Sequence, residues 1–171
     1  MAGPSHFSFF AAITAFFNRR LVQPIFSLLR QGITPEKLAL SVSLGVSLGI
    51  FPMIGSTTIL CFVIGWIFRV NQPAIQLVNY FTYPLQLALL VPFLQMGSRI
   101  FGDGAIPFSL QDIFAMLTTD TWSAVGTLWW ASVRAIAVWL LIGPLLTVIL
   151  YILLKPLFVR LKETFQRTPA A

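Results

Sequence analysis

The residue types that carry most enzyme chemistry are scarce in this chain, and those present are spaced for binding rather than for reaction. One histidine, His6, and one cysteine, Cys61, occur in the 171 residues. A His-based triad, a Cys-rich zinc site and an intrachain disulfide therefore lack their components. The acids Glu36, Asp103, Asp112, Asp120 and Glu163 include no pair placed to share one reacting centre, since the glutamates flank the apolar stretches and the aspartates fall between Arg99 and Trp122. No catalytic residue, metal ligand or cofactor motif is assigned.

Groups able to bind lie inside otherwise apolar sequence. Pro52-Met53-Ile54-Gly55 is a turn signal, and Gly55-Ser56-Thr57-Thr58 then opens a helical segment with hydroxyls and unpaired N–H groups at a positive dipole end. Such an end attracts an anion, or its hydroxyls only cap the helix. Arg69 and Asn71 follow in Arg69-Val70-Asn71-Gln72-Pro73. Asn79 and Gln86, seven apart, share a helix face that either grips a ligand or bonds a neighbouring helix. Arg134 reads two ways: as a costly buried charge whose planar fork suits a phosphate, or as a side chain snorkelling beside an aromatic belt at Trp129-Trp130. The candidate contacts to an anionic headgroup are thus Pro52, Gly55, Ser56, Thr57, Thr58, Arg69, Asn71, Asn79 and Arg134.

The elements that must position these groups are set by composition. Hydrophobic residues make up 57% and charged residues 9% of the chain, with a formal net charge of +6 and a mean hydropathy of +0.87. Soluble domains carry about 25% charged residues, so the solvent of this chain is partly lipid. The basic residues border apolar stretches and no nucleic-acid-binding pattern accompanies them, which excludes that partner class.

From Leu38 to Phe68 no residue is charged. As one straight helix this run would be about 46 Å long against a hydrocarbon core of roughly 30 Å, and the Pro52–Gly55 break leaves two halves of about 20 Å each. A re-entrant hairpin or one kinked, tilted span would accommodate it. Ser41, Gly45 and Gly49, spaced by four, form a small-residue face for helix packing. The next charge-free run, 74–98, holds Gln76, Asn79, Thr82, Gln86 and Gln95 and should bend at Pro84 and Pro92. The segment 123–154 makes a last span with a kink expected at Gly143-Pro144, and Lys155 ends it at the membrane face.

The reading is therefore an all-α integral membrane protein: an amphipathic N-terminal segment (1–35), a membrane domain (36–155) with a hairpin at 38–68, spans at 74–98 and 123–154 and an outer loop at 99–122, and a basic tail (156–171). Phe7 to Phe17, with Arg19-Arg20 after rather than before it, reads as a retained interfacial segment, not a cleaved signal. Basic flanks against an acidic outer loop place both termini in the cytoplasm. Two spans enclose little, so a homo-oligomer or a larger assembly is expected.

The stretch GIFPMIGSTTILCFVIGWIFRVNQP, followed by TYPLQ and MGSRIFG, resembles the core of the bacterial membrane-protein family filed as domain of unknown function 2062. Pro52 and Gly55 match its turn, Arg69, Asn71 and Pro73 its second element, and Pro84, Gly97 and Gly102 the remainder, over about residues 36 to 155. Ile54, Ser56 and Tyr83 depart from residues the family often carries as Pro, Gln and Asn, so a ligand contacted by that Gln and Asn is either contacted differently here or has been lost. The likeness implies a bacterial cytoplasmic (inner) membrane location. Relatives joined to glycosyltransferase-like domains point towards envelope lipid and glycan pathways. Two functions are carried forward: binding or translocation of an anionic lipid such as a polyprenyl phosphate by the hairpin, or a non-catalytic structural subunit of an envelope complex that packs through Ser41, Gly45 and Gly49.

Overall fold

The computed structural model describes residues 33–101 and 121–167, together with helical Gln23 and Ser27. The expected N-terminal amphipathic segment, most of the outer loop and the last residues of the basic tail lie outside the described residues. Four helices account for nearly all that is described, with no strand among the described residues: α1 (Pro35–Gly49), α2 (Thr57–Ile67), α3 (Gln72–Phe101) and α4 (Thr121–Arg167).

Local chemistry sets the start of α1. Thr34 is extended (φ −71°, ψ 143°), its Oγ1 accepts from Lys37 N at 3.4 Å, and Pro35 follows at the first helical position, where a missing N–H costs nothing. Ten of its fifteen residues are buried on all sides, so α1 is the central helix rather than an amphipathic surface one. Burying serines requires hydrogen bonds, and each finds one: Ser41 donates to Lys37 O, Ser43 to Ala39 O and Ser47 to Gly143 O.

The end of α1 is closed by several donors. Ile50 N reaches Val46 O, Phe51 N reaches Leu48 O, and the Trp139 indole Nε1 donates to Ser47 O at 3.0 Å. Trp139 also meets the Phe51 ring edge-on, centroids 4.9 Å apart. The chain then turns over Pro52, which is fully enclosed, and Gly55, whose φ of +87° an L side chain rarely adopts.

α2 is closed by a Schellman motif, with Arg69 N on Trp66 O and Val70 N on Gly65 O. That motif needs a left-handed residue, and here it is Arg69 at φ 51°, a strained choice for a non-glycine. Asn71 starts α3 at once, its Oδ1 accepting from Ala74 N, while its own N–H is held by Ser41 Oγ.

Cross-contacts fix the directions. Along α3, Ile75 and Val78 meet Gly45 and Thr82 meets Gly49, so α1 and α3 run the same way. α2 runs against them, because Gln72 bonds Phe62 O, Gln76 bonds Thr58 O and Gln86 bonds Phe51 O. α4 also runs against α1, with Ser47 at Trp139 and Gly143, and Leu38 in one cluster with Phe158. Thus α1 and α2 form a helical hairpin whose turn lies level with Gln86, halfway along α3.

α3 continues as helix through Pro84 and Pro92, the positions where the sequence places bends, and α4 through Pro144 and Pro156. α4 continues beyond Lys155 to Arg167. The physical reason is that Phe158 and Leu161 extend the stripe of Tyr151 and Leu154, and this stripe packs on Leu38, Ala39 and Ala74. α3 and the Trp129–Glu163 stretch of α4 are long and apolar enough to cross a membrane.

Candidate functional site

The hairpin divides the candidate residues into two groups. Gly55, Ser56, Thr57 and Thr58 sit at the turn, whereas Arg69 and Asn71 sit at the opposite end of α2, about 16 Å away for an eleven-residue helix. Arg134 is elsewhere again: its Cβ lies 3.1 Å from where a Gly97 Cβ would stand, near the far end of α3. Pro52, Thr57 and Asn79 are enclosed, Asn79 being 3% exposed.

At the turn, the start of α2 carries no side-chain cap. Ser56 occupies the N-cap position with helical dihedrals, and its hydroxyl donates back to Met53 O at 2.9 Å instead of accepting from the first turn. The first-turn N–H groups, which have no partner within a helix, therefore receive no hydroxyl from Ser56. Met53, Ile54, Gly55, Thr58 and Ile59 are exposed around them.

α2 is fastened to α3 by glutamine amides. Only Thr57, Cys61 and Gly65 of α2 are buried, a narrow stripe at spacing four. Nε2 of Gln72 donates to Phe62 O and that of Gln76 to Thr58 O, both at 3.0 Å. Gln86 reaches Phe51 O at 2.8 Å. Gly65 leaves room for this amide, since a Cβ there would stand 2.8 Å from Gln72 Nε2 and displace the end of that side chain. The other amide atom of each, Oε1, is buried without a partner. An orphaned acceptor of this kind costs about 1–3 kcal/mol. Leu60 and Ile64 are half-buried beside this stripe, and Ile59, Phe62, Val63, Trp66 and Ile67 form an exposed apolar face, Trp66 at 74%.

At the opposite end of the hairpin two clefts meet. One, of about 320 Å³, is lined by Ile33, Thr34, Lys37, Arg69, Val70 and Asn71. The other, of about 510 Å³, is lined by Gly65, Trp66, Ile67, Arg69, Val70 and Gln72. The first gathers two cations at the N-terminus of α1, whose dipole adds positive potential. The second is walled by the apolar end of α2. Arg69 and Val70 belong to both.

Lys37 is the residue that the sequence reading missed. Its signal was available in the folding-back itself: Lys37 and Arg69 stand equally far from Met53, so a hairpin turning there brings them side by side. Among the described residues no group of three or more His, Cys, Asp or Glu is placed to hold a metal.

No characterised protein and no solved structure matches the chain. A family model does, over residues 18–166, which covers the hairpin, both long helices and the clefts at Arg69. The chain therefore belongs to the bacterial family described as an uncharacterized protein conserved in bacteria, domain of unknown function 2062.

Proposed function

We propose that the chain is a multi-pass protein of the bacterial cytoplasmic membrane that binds an anionic lipid, its headgroup in the Lys37–Arg69 cleft and its tail along the exposed face of α2. The observation that carries this reading is the sharing of Arg69 and Val70 between a basic cleft and an apolar one. A lipid needs both surfaces joined, and a soluble anion needs only the first.

The geometry supports a re-entrant hairpin in the following way. α3 is about 45 Å long, and its position level with the turn, Gln86, lies about 21 Å from its start, short of a hydrocarbon core of roughly 30 Å. The turn then lies within the membrane while both ends of the hairpin return to one face. Lys37, Arg69, Lys155, Arg160 and Lys162 collect at that face, which the positive-inside rule assigns to the cytoplasm. Both chain termini follow it there.

A lipid held at Arg69 has its tail beside Trp66 and Ile67. The hairpin shortens the distance to the far surface, and its turn offers uncapped N–H groups to a passing phosphate; this would suit transfer of the headgroup between leaflets, with a polyprenyl phosphate as one candidate cargo. The alternative, assembly into an envelope complex through Ser41, Gly45 and Gly49, finds that face already taken up by α3 and by Asn71 of the same chain.

The test is native mass spectrometry of the purified full chain with a polyprenyl phosphate, phosphatidylglycerol or phosphatidylcholine. Anionic lipids should bind at fixed stoichiometry. Exchanging both cations (K37Q with R69Q) should weaken them roughly 30-fold, taking about 1 kcal/mol for each basic group near a membrane surface. Equal retention of phosphatidylcholine, or an undiminished double variant, would overturn the proposal.

A further inference from the structure

The cleft that Lys37 and Arg69 line is bordered by donors, while the acceptors of its other polar side chains are engaged elsewhere. Thr34 and Asn71, the N-caps of α1 and α3, both line it. Thr34 Oγ1 accepts from Lys37 N, and its carbonyl accepts from Leu38 N. Asn71 Oδ1 accepts from Ala74 N at 2.8 Å, and its carbonyl accepts from Ile75 N. Only the oxygen of an amide can accept from a backbone N–H, so this bond settles which end of the Asn71 side chain is which and leaves Nδ2 to donate. Lysine and arginine side chains donate only.

No acid is among the described residues that line the cleft. Glu36 precedes Lys37 on α1 but is not part of the lining, and α3 brings no charge in its first turn beyond Asn71. On α4, Arg160, Lys162 and Glu163 flank Leu161, which packs on the same apolar cluster as Ile33, and none of the three lines the cleft. The N-terminal ends of α1 and α3 add positive potential to that of the two cations.

Two cations in one donor-lined cleft suit an anion with more than one charge and more than two accepting oxygens. A phosphomonoester has a charge of about −1.5 to −2 near neutral pH and three terminal oxygens. A phosphodiester has a single charge and two such oxygens, and so has a carboxylate. The planar guanidinium of an arginine takes two phosphate oxygens side by side, which leaves the third oxygen of a monoester for an ammonium.

We infer that the cleft selects a phosphomonoester dianion over a phosphodiester, with Lys37 and Arg69 as its charge partners and Asn71 Nδ2 as a neutral donor. This rests on the reading above that a headgroup occupies the cleft, and it narrows that headgroup from any anionic lipid to one ending in a terminal phosphate.

The experiment is calorimetric titration of the purified full chain, in one detergent, with phosphatidic acid and with phosphatidylmethanol of the same acyl chains, which differ by one methyl ester. At about pH 8 the monoester should bind roughly fivefold tighter, for one further charge beside basic groups at a membrane surface. At about pH 5, below the second phosphate pKa of about 6, the ratio should fall under about twofold. A group of the protein that titrates would move both lipids, so the ratio reports the proton on the phosphate. Asn71→Asp keeps an acceptor for Ala74 N but exchanges the amide donor for a carboxylate oxygen, and it should abolish the preference with the unfolding midpoint retained. Should that variant not fold, Lys37→Gln, which leaves both caps in place, should abolish it likewise.

Equal affinities at the higher pH, a ratio indifferent to pH, or a preference undiminished in both variants would overturn the inference. The lipid reading would still stand if exchanging both cations (K37Q with R69Q) weakened the two lipids alike, and an undiminished double variant would overturn both. Inorganic phosphate displacing phosphatidic acid at equal concentration would uphold the dianion preference and assign the cleft to a soluble phosphate instead of a lipid.

Discussion

Replacing Gly45 by alanine tests whether α1 and α3 touch as closely as their glycines imply. The added Cβ would stand 2.8 Å from Val78 Cβ and 2.9 Å from Ile75 O. The first neighbour is a β-branched side chain fixed at its root and the second is backbone, so neither yields without moving α3. Overpacking of this kind costs about 1–3 kcal/mol, against a helix-propensity gain of about 1 kcal/mol for removing glycine. A net loss of about 0–2 kcal/mol follows. Gly126→Ala is the matched control: a Cβ there meets nothing within 4 Å, so only the gain of about 1 kcal/mol remains. The two variants should differ by about 1–3 kcal/mol, and at about 2–4 °C per kcal/mol for a chain of this size their midpoints should lie roughly 2–12 °C apart. Unfolding of the full chain in a single detergent, followed by circular dichroism and tryptophan fluorescence at one scan rate, reads the difference. A Gly45→Ala midpoint at or above that of Gly126→Ala would show that α1 does not lie against α3 at this distance.

Three further outcomes are expected. Arg69→Gly and Arg69→Val should weaken anionic-lipid binding alike, about fivefold for one lost charge, yet differ in stability by about 1–2 kcal/mol, because only glycine is at ease at φ 51°. Equal midpoints for the pair would refute the left-handed geometry. Trp139→Phe keeps the ring against Phe51 but leaves Ser47 O without its indole donor, so the unfolding midpoint should fall by the equivalent of about 1–3 kcal/mol. Asn71→Ala removes the cap of α3 and should cost about 1 kcal/mol; amide hydrogen exchange should then quicken in the first turn of α3 before it does elsewhere.

Much of the architecture was legible because it rests on local chemistry. Pro52 and Gly55 interrupt an uncharged run too long for one crossing, and the chain doubles back there. Ser41, Gly45 and Gly49 share a face because helical spacing requires it. Asn79 and Gln86 share the face of α3 that the structure encloses. What the sequence did not reveal depends on which elements meet. Thr57 is enclosed whereas Thr58 is exposed, and Ser56 turns back to Met53 O rather than capping α2; neither follows from residue type. The left-handed Arg69 had no signal, since arginine is not a residue favoured in that region. Lys37 was passed over because its importance arises only when residue 69 is brought back beside it.

The height of the hairpin turn also bears on the shape of the whole molecule. Among the described residues, four helices lie side by side below the level of Gln86, and α3 and α4 continue above it. With a helix diameter of about 10–12 Å, two additional helices displace on the order of 200 Å² more in one leaflet than in the other. A body of that form is a wedge, and a wedge relaxes where the leaflet holding its broad end is expanded. In the orientation proposed above, with the hairpin opening to the cytoplasm, such a body should favour membrane regions that curve towards the cytoplasm, and a crowd of copies would impose that curvature on a flat bilayer.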